Sequence, residues 1–232
     1  MEAPRGRRVE ALLHHVREAL SLGIFMLVAL AARSSLADHY VIPSESMEPT
    51  LGIGDRILVQ KMAYGLRLPF SLHVIAGSRV PARGDVVVFQ SPVDGKPWVK
   101  RVIAVPGDTV EVRGGVVRVN GSELERVSAG FVACEAVGDH RHRLGSAFGD
   151  GPDQAPLVVP SGRLFVMGDN RGNSFDSRGW GVLPLANVLG RVAAVYWTPS
   201  GGFQWSTLSD DECSRSARQE GSTPGAGPGD RG

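Results

Sequence analysis

Only two cysteines, Cys134 and Cys213, occur in the 232 residues. Two are too few for a disulfide scaffold and lack the paired spacing of a zinc site, although one disulfide between them is allowed. Excess charge of one sign is also missing. Lys and Arg number 25 against 24 Asp and Glu, so no field exists that would gather nucleic acid, and no nucleic-acid partner is expected. There is no glycine-rich phosphate loop. The histidines of His14-His15 and His140-Arg-His142 have no third and fourth ligand at useful spacing, so neither a metal nor any other cofactor is expected. Aromatic residues make up only 6% and no internal repeat is visible. What is present is a composition that folds: 42% hydrophobic residues can bury a core, and 30 Gly with 15 Pro favour short strands and many turns over long helices. The length allows one sizeable domain or two small ones.

Long apolar runs are lacking as well. Residues 19–32 (ALSLGIFMLVALAA) carry no charge, but fourteen helical residues cover about 21 Å of the roughly 30 Å of bilayer hydrocarbon. Letting Arg33 snorkel and reading on to Ala37 extends this to about 28 Å, which predicts a transmembrane anchor over residues 19–37. Arg5, Arg7, Arg8 and Arg17 precede the segment, while Arg33 is the one Lys or Arg in the twenty residues that follow. That bias places residues 1–18 in the cytoplasm and everything after the anchor outside it. A cleaved signal peptide and a buried core helix are the competing readings, although a core helix should show polar residues at a 3.6 period and here only Ser21 interrupts.

From Ile57 the texture changes to short β-rich runs. These are 56–60, 85–90, 98–105, 109–113, 116–119, 164–167 and 190–197, punctuated by Gly52-Ile-Gly-Asp55, Arg83-Gly-Asp85, Pro106-Gly-Asp108, Gly114-Gly115, Asn120-Gly121 and Gly168-Asp-Asn170. This spacing predicts a mainly β domain of folded antiparallel sheets, barrel-like, over residues 38–205, with a hairpin tip at Asn120-Gly121. Residues 122–160 read as an irregular inserted region, and residues 206–232 as a disordered tail.

Three polar segments could carry chemistry. In Ile42-Pro-Ser-Glu-Ser-Met-Glu-Pro-Thr-Leu51 two serines stand two apart between prolines, so one could be a nucleophile and the other a donor beside it. Alone, this is equally a Ser-rich turn. In Lys96-Pro-Trp-Val-Lys-Arg-Val-Ile-Ala-Val105 strand alternation puts Lys100 on a face with Trp98, Val102 and Ala104, and Arg101 on the other with Val99 and Ile103. An edge lysine is usually a solvated gatekeeper. If buried, its charged form is disfavoured and the neutral amine becomes a competent base. In Met167-Gly-Asp-Asn-Arg-Gly-Asn-Ser-Phe-Asp-Ser-Arg178 acid and base alternate, Asp169 with Arg171 and Asp176 with Arg178, which predicts a tight ion-paired loop or a polar surface turn.

Together with Gly54-Asp-Arg-Ile-Leu-Val-Gln-Lys-Met-Ala-Tyr-Gly65, Arg83-Gly-Asp-Val-Val-Val-Phe89 and Pro106-Gly-Asp108, these segments resemble bacterial type I signal peptidase in order and spacing. The resemblance covers about residues 40–112 and 160–198, and Gly168-Asp-Asn-Arg171 is its most specific part. It implies a membrane-anchored serine endopeptidase with Ser46 as nucleophile, Lys100 as general base, and Ser44 with the Ser46 backbone N–H as the oxyanion hole. Ser174 would orient the lysine, Asp176 and Arg178 would brace the loop, and Ile42, Met47 and Trp98 would wall the substrate pocket. The implied partners are signal peptides of secretory precursors, with small residues before the cut, and membrane lipid; the implied location is the bacterial cytoplasmic membrane with the catalytic domain outside. Two positions depart from the family: Glu45 stands where Gly is frequent and Gly172 where Asp is frequent. Glu45 would alter the charge at the oxyanion site if turned inward and change little if turned to solvent. The alternatives are an inactive anchored β-domain that binds precursors, and a self-cleaving repressor, which should carry a DNA-binding helical module that this N-terminus does not resemble.

Overall fold

The computed structural model describes residues 5–67, 74–77, 79–129, 132–145, 148–208 and 213. Helix α1 (Arg5–Leu36) runs directly into strand β1 (Ala37–Val41). A single turn of 3-10 helix, Glu45–Met47, precedes β2 (Arg56–Gln60). A small hairpin, β3 (Leu66–Arg67) and β4 (Val74–Ala76), leads to β5 (Val86–Gln90) and β6 (Pro97–Ala104). Next come β7 (Thr109–Arg113), β8 (Val116–Val119) and β9 (Ser122–Glu123), then β10 (Arg126–Ala129), β11 (Val132–Val137), β12 (His140–Leu144) and β13 (Gln154–Val158). The chain ends its described course with β14 (Arg163–Met167), the four-residue helix α2 (Ser177–Trp180), β15 (Leu183–Pro184), β16 (Val188–Thr198) and β17 (Gly202–Thr207).

The strand ladders are antiparallel, as the alternating and turn-rich sequence demands. The main sheet has the order β1-β2-β16-β5-β6-β14-β15, with β17 added beside β16, and a second sheet has the order β13-β7-β8-β9. Burial explains why some strands alternate and others do not. β2 reads exposed-buried-intermediate-buried-exposed, as one-sided packing requires. β5 is buried at Val86, Val87, Val88 and Phe89 in succession, because the strand at the sheet's centre is covered on both faces. Each such apolar side chain contributes roughly 1.5–3 kcal/mol by leaving water. Two two-residue turns with positive φ throughout, Gly114-Gly115 and Asn120-Gly121, join β7 to β8 and β8 to β9; their twist matches that of the strands they connect.

The structure revises three expectations and settles the cysteine pairing. Residues 122–160 are not irregular: β10, β11 and β12 form their own sheet. Their pattern is hidden because the buried positions include Glu135 and His142, so the apolar period is broken where the chain turns polar groups inward. Cys134 and Cys213, whose pairing was open, form a disulfide across 79 residues. Of the expected tail, Ser206 and Thr207 belong to β17, Leu208 follows it and Cys213 is tied down by the disulfide, while the remaining residues lie outside those described. Finally, among the described residues no helix is long and apolar enough to cross a membrane, in line with an uncharged run shorter than the hydrocarbon. Within α1, Leu20, Leu22, Ile24, Phe25, Met26 and Leu27 are all exposed, so among the described residues nothing covers these side chains.

Candidate active site

β6 supplies the first element. Its residues Pro97–Arg101 pair with β5, Lys100 opposite Val87, whereas β14 pairs with β6 only from Arg101 onward. Residues 97–100 thus have a strand on one side and, among the described residues, none on the other. Lys100 is buried, 4% exposed, on the face it shares with Trp98 and Val102, which pack with Val87, Phe89 and Val166. Arg101 faces the other way, and the expected alternation holds to Val102. The irregular β6–β14 pairing between Phe165 and Val166 then puts Ala104 into a different core cluster, with Ile103.

The 3-10 turn Glu45–Met47 supplies the second element. Met47 and Ile42 are anchored in the core with Leu51 and Ile57, at 1% and 2% exposure, which fixes the turn while leaving Ser46 half-buried and Ser44 exposed. The Lys100 Nζ donates to Ser46 Oγ at 2.5 Å, and Ser44 Oγ lies 3.3 Å from Ser46 Oγ. Burial takes the Lys100 pKa down from its ordinary value of 10.5 to about 8; Asp176 and Asp169 pull it back up, and Arg178 opposes them.

The third element is the turn 168–178, which follows β14. Its backbone N–H at Asn170 donates to Ser46 O at 3.2 Å and the Asn170 side chain donates to Glu45 O at 3.2 Å, clipping the two turns together. Gly168 lies between them. A Cβ there would come within 2.3 Å of both Ser46 O and Ser174 Oγ, so only glycine permits the approach. Asp176 accepts from Gly168 N at 3.1 Å, caps α2 through Arg178 N, and is held by Arg178 Nε and Nη2, each at 2.8 Å. Ser174 reaches the site beside Gly168, but its buried Oγ makes no hydrogen bond among the described residues. Trp98 packs edge-on against Phe175 at 6.2 Å.

The expected pairing inside this loop is half right. Asp176 pairs with Arg178, but Asp169 pairs instead with Arg101, whose Nε and Nη2 reach it at 2.9 and 2.7 Å, and Arg171 pairs with Glu135. Asp169 also accepts from Thr50, and although burial pushes its pKa up, Arg101 outweighs it and holds the carboxyl near 2. Sequence reasoning missed Glu135, Gly168 and Asn170 as supports of the site. Gly168 and Asn170 stood in the Gly-Asp-Asn-Arg run and could have been found there; Glu135 carried no signal.

The two departures from the family pattern also have a place. The Glu45 carboxylate accepts from Asn173 Nδ2 at 3.0 Å at the rim. Gly172 is required, because a Cβ would meet the Phe148 carbonyl oxygen at 2.0 Å. Outside the site, His14, His15 and Glu18 bring ligand atoms within 4.8 Å of one another on an exposed part of α1.

Comparison with known proteins places the chain in a family. The family model described as signal peptidase, peptidase S26, matches residues 15–197. The chain is 35% identical over 187 residues to signal peptidase I of Leptolyngbya laminosa, covering 76% of this chain and 77% of that one. It is 36% identical over 195 residues to signal peptidase I of Pseudomonas aeruginosa, covering 74% and 68%. A probable thylakoidal processing peptidase 2 of Arabidopsis thaliana is 36% identical over 181 residues, covering 75% of this chain and 41% of its own. A family match over most of the chain, with the serine turn, the lysine strand and the glycine-rich turn all inside it, leads to one conclusion: the chain belongs to the signal peptidase family, peptidase S26.

Proposed function

We propose that the chain is a membrane-attached serine endopeptidase that removes signal peptides from secretory precursors, with Ser46 as nucleophile and Lys100 as general base. The observation that carries this reading is a buried amine with a lowered pKa, 2.5 Å from a half-exposed hydroxyl. The neutral amine takes the Ser46 proton as Oγ attacks the scissile carbonyl. The oxyanion that forms is received by the Ser46 N–H and the Ser44 hydroxyl. The Lys100 ammonium then returns its proton to the leaving amine, an acyl-enzyme remains, and the same lysine removes a proton from the water that releases the signal peptide. A Ser and Lys pair supplies every proton transfer without His or Asp.

The open edge of β6 at residues 97–100 supports binding of the precursor as an added strand, with its side chains meeting Trp98, while Ile42 and Met47, at 2% and 1% exposure, anchor the serine turn from the core rather than wall a pocket. The exposed apolar residues of α1 support attachment to membrane lipid, and the Cys134–Cys213 disulfide fits a catalytic domain outside the cytoplasm, in an oxidising compartment. The attachment places Ser46 ten residues from the end of α1, where a precursor's own apolar segment would still be embedded. The test is to incubate the detergent-solubilised full chain with a secretory precursor beside its Ser46→Ala variant. A mature fragment from the unaltered protein alone is expected; equal products from both, or from neither, overturn the reading.

A further inference from the structure

The proposed chemistry leaves residues 122–160 without a role, yet they hold the turn 168–178 at several points. Glu135 of β11 is fully buried; it accepts from Arg171 Nη1 at 3.2 Å and from Arg126 Nε at 2.9 Å. His142 of β12 puts Nε2 3.6 Å from Asp169 Oδ1 and 3.9 Å from Glu135 Oε2. Gly145 N donates to Asp169 O at 3.0 Å, Asp150 O accepts from Arg178 Nη1 at 2.7 Å, and the Phe148 carbonyl closes over Gly172. Next to Glu135, Cys134 fastens β11 to Cys213.

The consequence for the amine follows from which groups surround it. The charges that act on Lys100 are Asp176, Asp169 and Arg178, all three on this turn, and the amine's other neighbour is the Ser46 hydroxyl. The charges that act on the Glu135 end are Arg171 and Arg126, with Arg101 and Asp169 beyond the imidazole of His142. Burial pushes the Glu135 carboxyl up, but Arg171 and Arg126 outweigh it and hold it below the ordinary range. His142 is pushed by burial to about 3 and is neutral, so the net attraction to Arg171 rests on Glu135.

We propose that Glu135 is a positioning residue for the cleavage reaction: by anchoring Arg171 it holds the turn 168–174 against Lys100 and keeps water from the amine. This rests on the Ser46 and Lys100 chemistry above. A carboxylate that only stabilised the fold would change the folded fraction and nothing else.

The test is Glu135→Gln in the full chain, which keeps the shape and removes the charge. On a secretory precursor kcat should fall on the order of tenfold to a hundredfold, the effect of a small misplacement of reacting groups, with KM within about twofold. The acid limb of the pH profile should move to higher pH, because a wetted lysine returns toward its ordinary value. Amides of residues 169–174 should exchange hydrogen faster. An unmoved profile with unchanged exchange overturns the proposal. Should Glu135→Gln not fold, Glu135→Leu combined with Arg171→Met replaces the buried pair by apolar groups, a change proteins often accept; the same shift is expected, and a normal profile overturns the proposal. Absence of cleavage by the unaltered protein counts against Ser46 and Lys100 instead, and the exchange measurement, which needs no activity, then decides on Glu135.

Discussion

The two faces of β6 bury two neighbouring cations to opposite effect. Arg101 and Lys100 are equally hidden, each 4% exposed. Arg101 is met by a two-point bond to Asp169 and by the Gly84 carbonyl at 2.8 Å, so its charge is matched and its face is structural. Lys100 is met by a hydroxyl, and the carboxylates of its surroundings do not touch it. Burial of a cation is therefore not what makes a site reactive; burial without a bonded carboxylate is. One face stores its charge safely and the other is left with an amine that loses its proton easily.

Breaking each face should give a different kind of damage. The largest effect is expected for Lys100→Met, which should reduce precursor cleavage by at least about a thousandfold, the scale seen when a proton-transfer group of a protease is removed. Its unfolding midpoint should be unchanged or higher, because an amine that is costly to bury has gone; a large loss of stability would mean that Lys100 is structural. Arg101→Met should act the other way. It leaves Asp169 buried and unpaired, and denaturant titration should show a loss of about 3–5 kcal/mol, the cost of breaking a buried pair. A smaller effect is expected for Gly168→Ala, whose added methyl pushes the Ser46 carbonyl away from Asn170 N. Cleavage should fall about tenfold or more, read as kcat, and the backbone clash should lower Tm by several degrees, the scale of about 1–3 kcal/mol for overpacking.

How far the sequence foretells this depends on whether the apolar period survives. Residues 56–60, 109–113 and 116–119 are strands with the expected bounds, because apolar side chains alternate there or turn glycines mark both ends. β11 and β12 were not legible, since Glu135 and His142 occupy inward positions and the charged run His140-Arg-His-Arg143 looks like surface. In the site, alternation gives Lys100 its face and the Ser-x-Ser spacing marks Ser44 and Ser46 as candidates, but the roles of nucleophile and base come from the resemblance to a known family. The partner of Asp169 could not: Arg171 is two residues away and Arg101 sixty-eight, and only the folded sheet brings the distant one closer.

The central claim, that Lys100 works as a neutral base, is tested most directly by the pH dependence of kcat/KM for a soluble precursor peptide. Burial lowers the lysine's folded-state pKa, so the folded chain sheds this proton near pH 8 while the unfolded chain keeps it to about 10.5. Activity should therefore rise with pH and reach half its plateau near 8, and stability should rise with pH between those two values as the unfolded chain binds the extra proton. A half-point near the ordinary lysine value, or activity already flat well below neutrality, would contradict a dry, unprotonated amine beside Ser46.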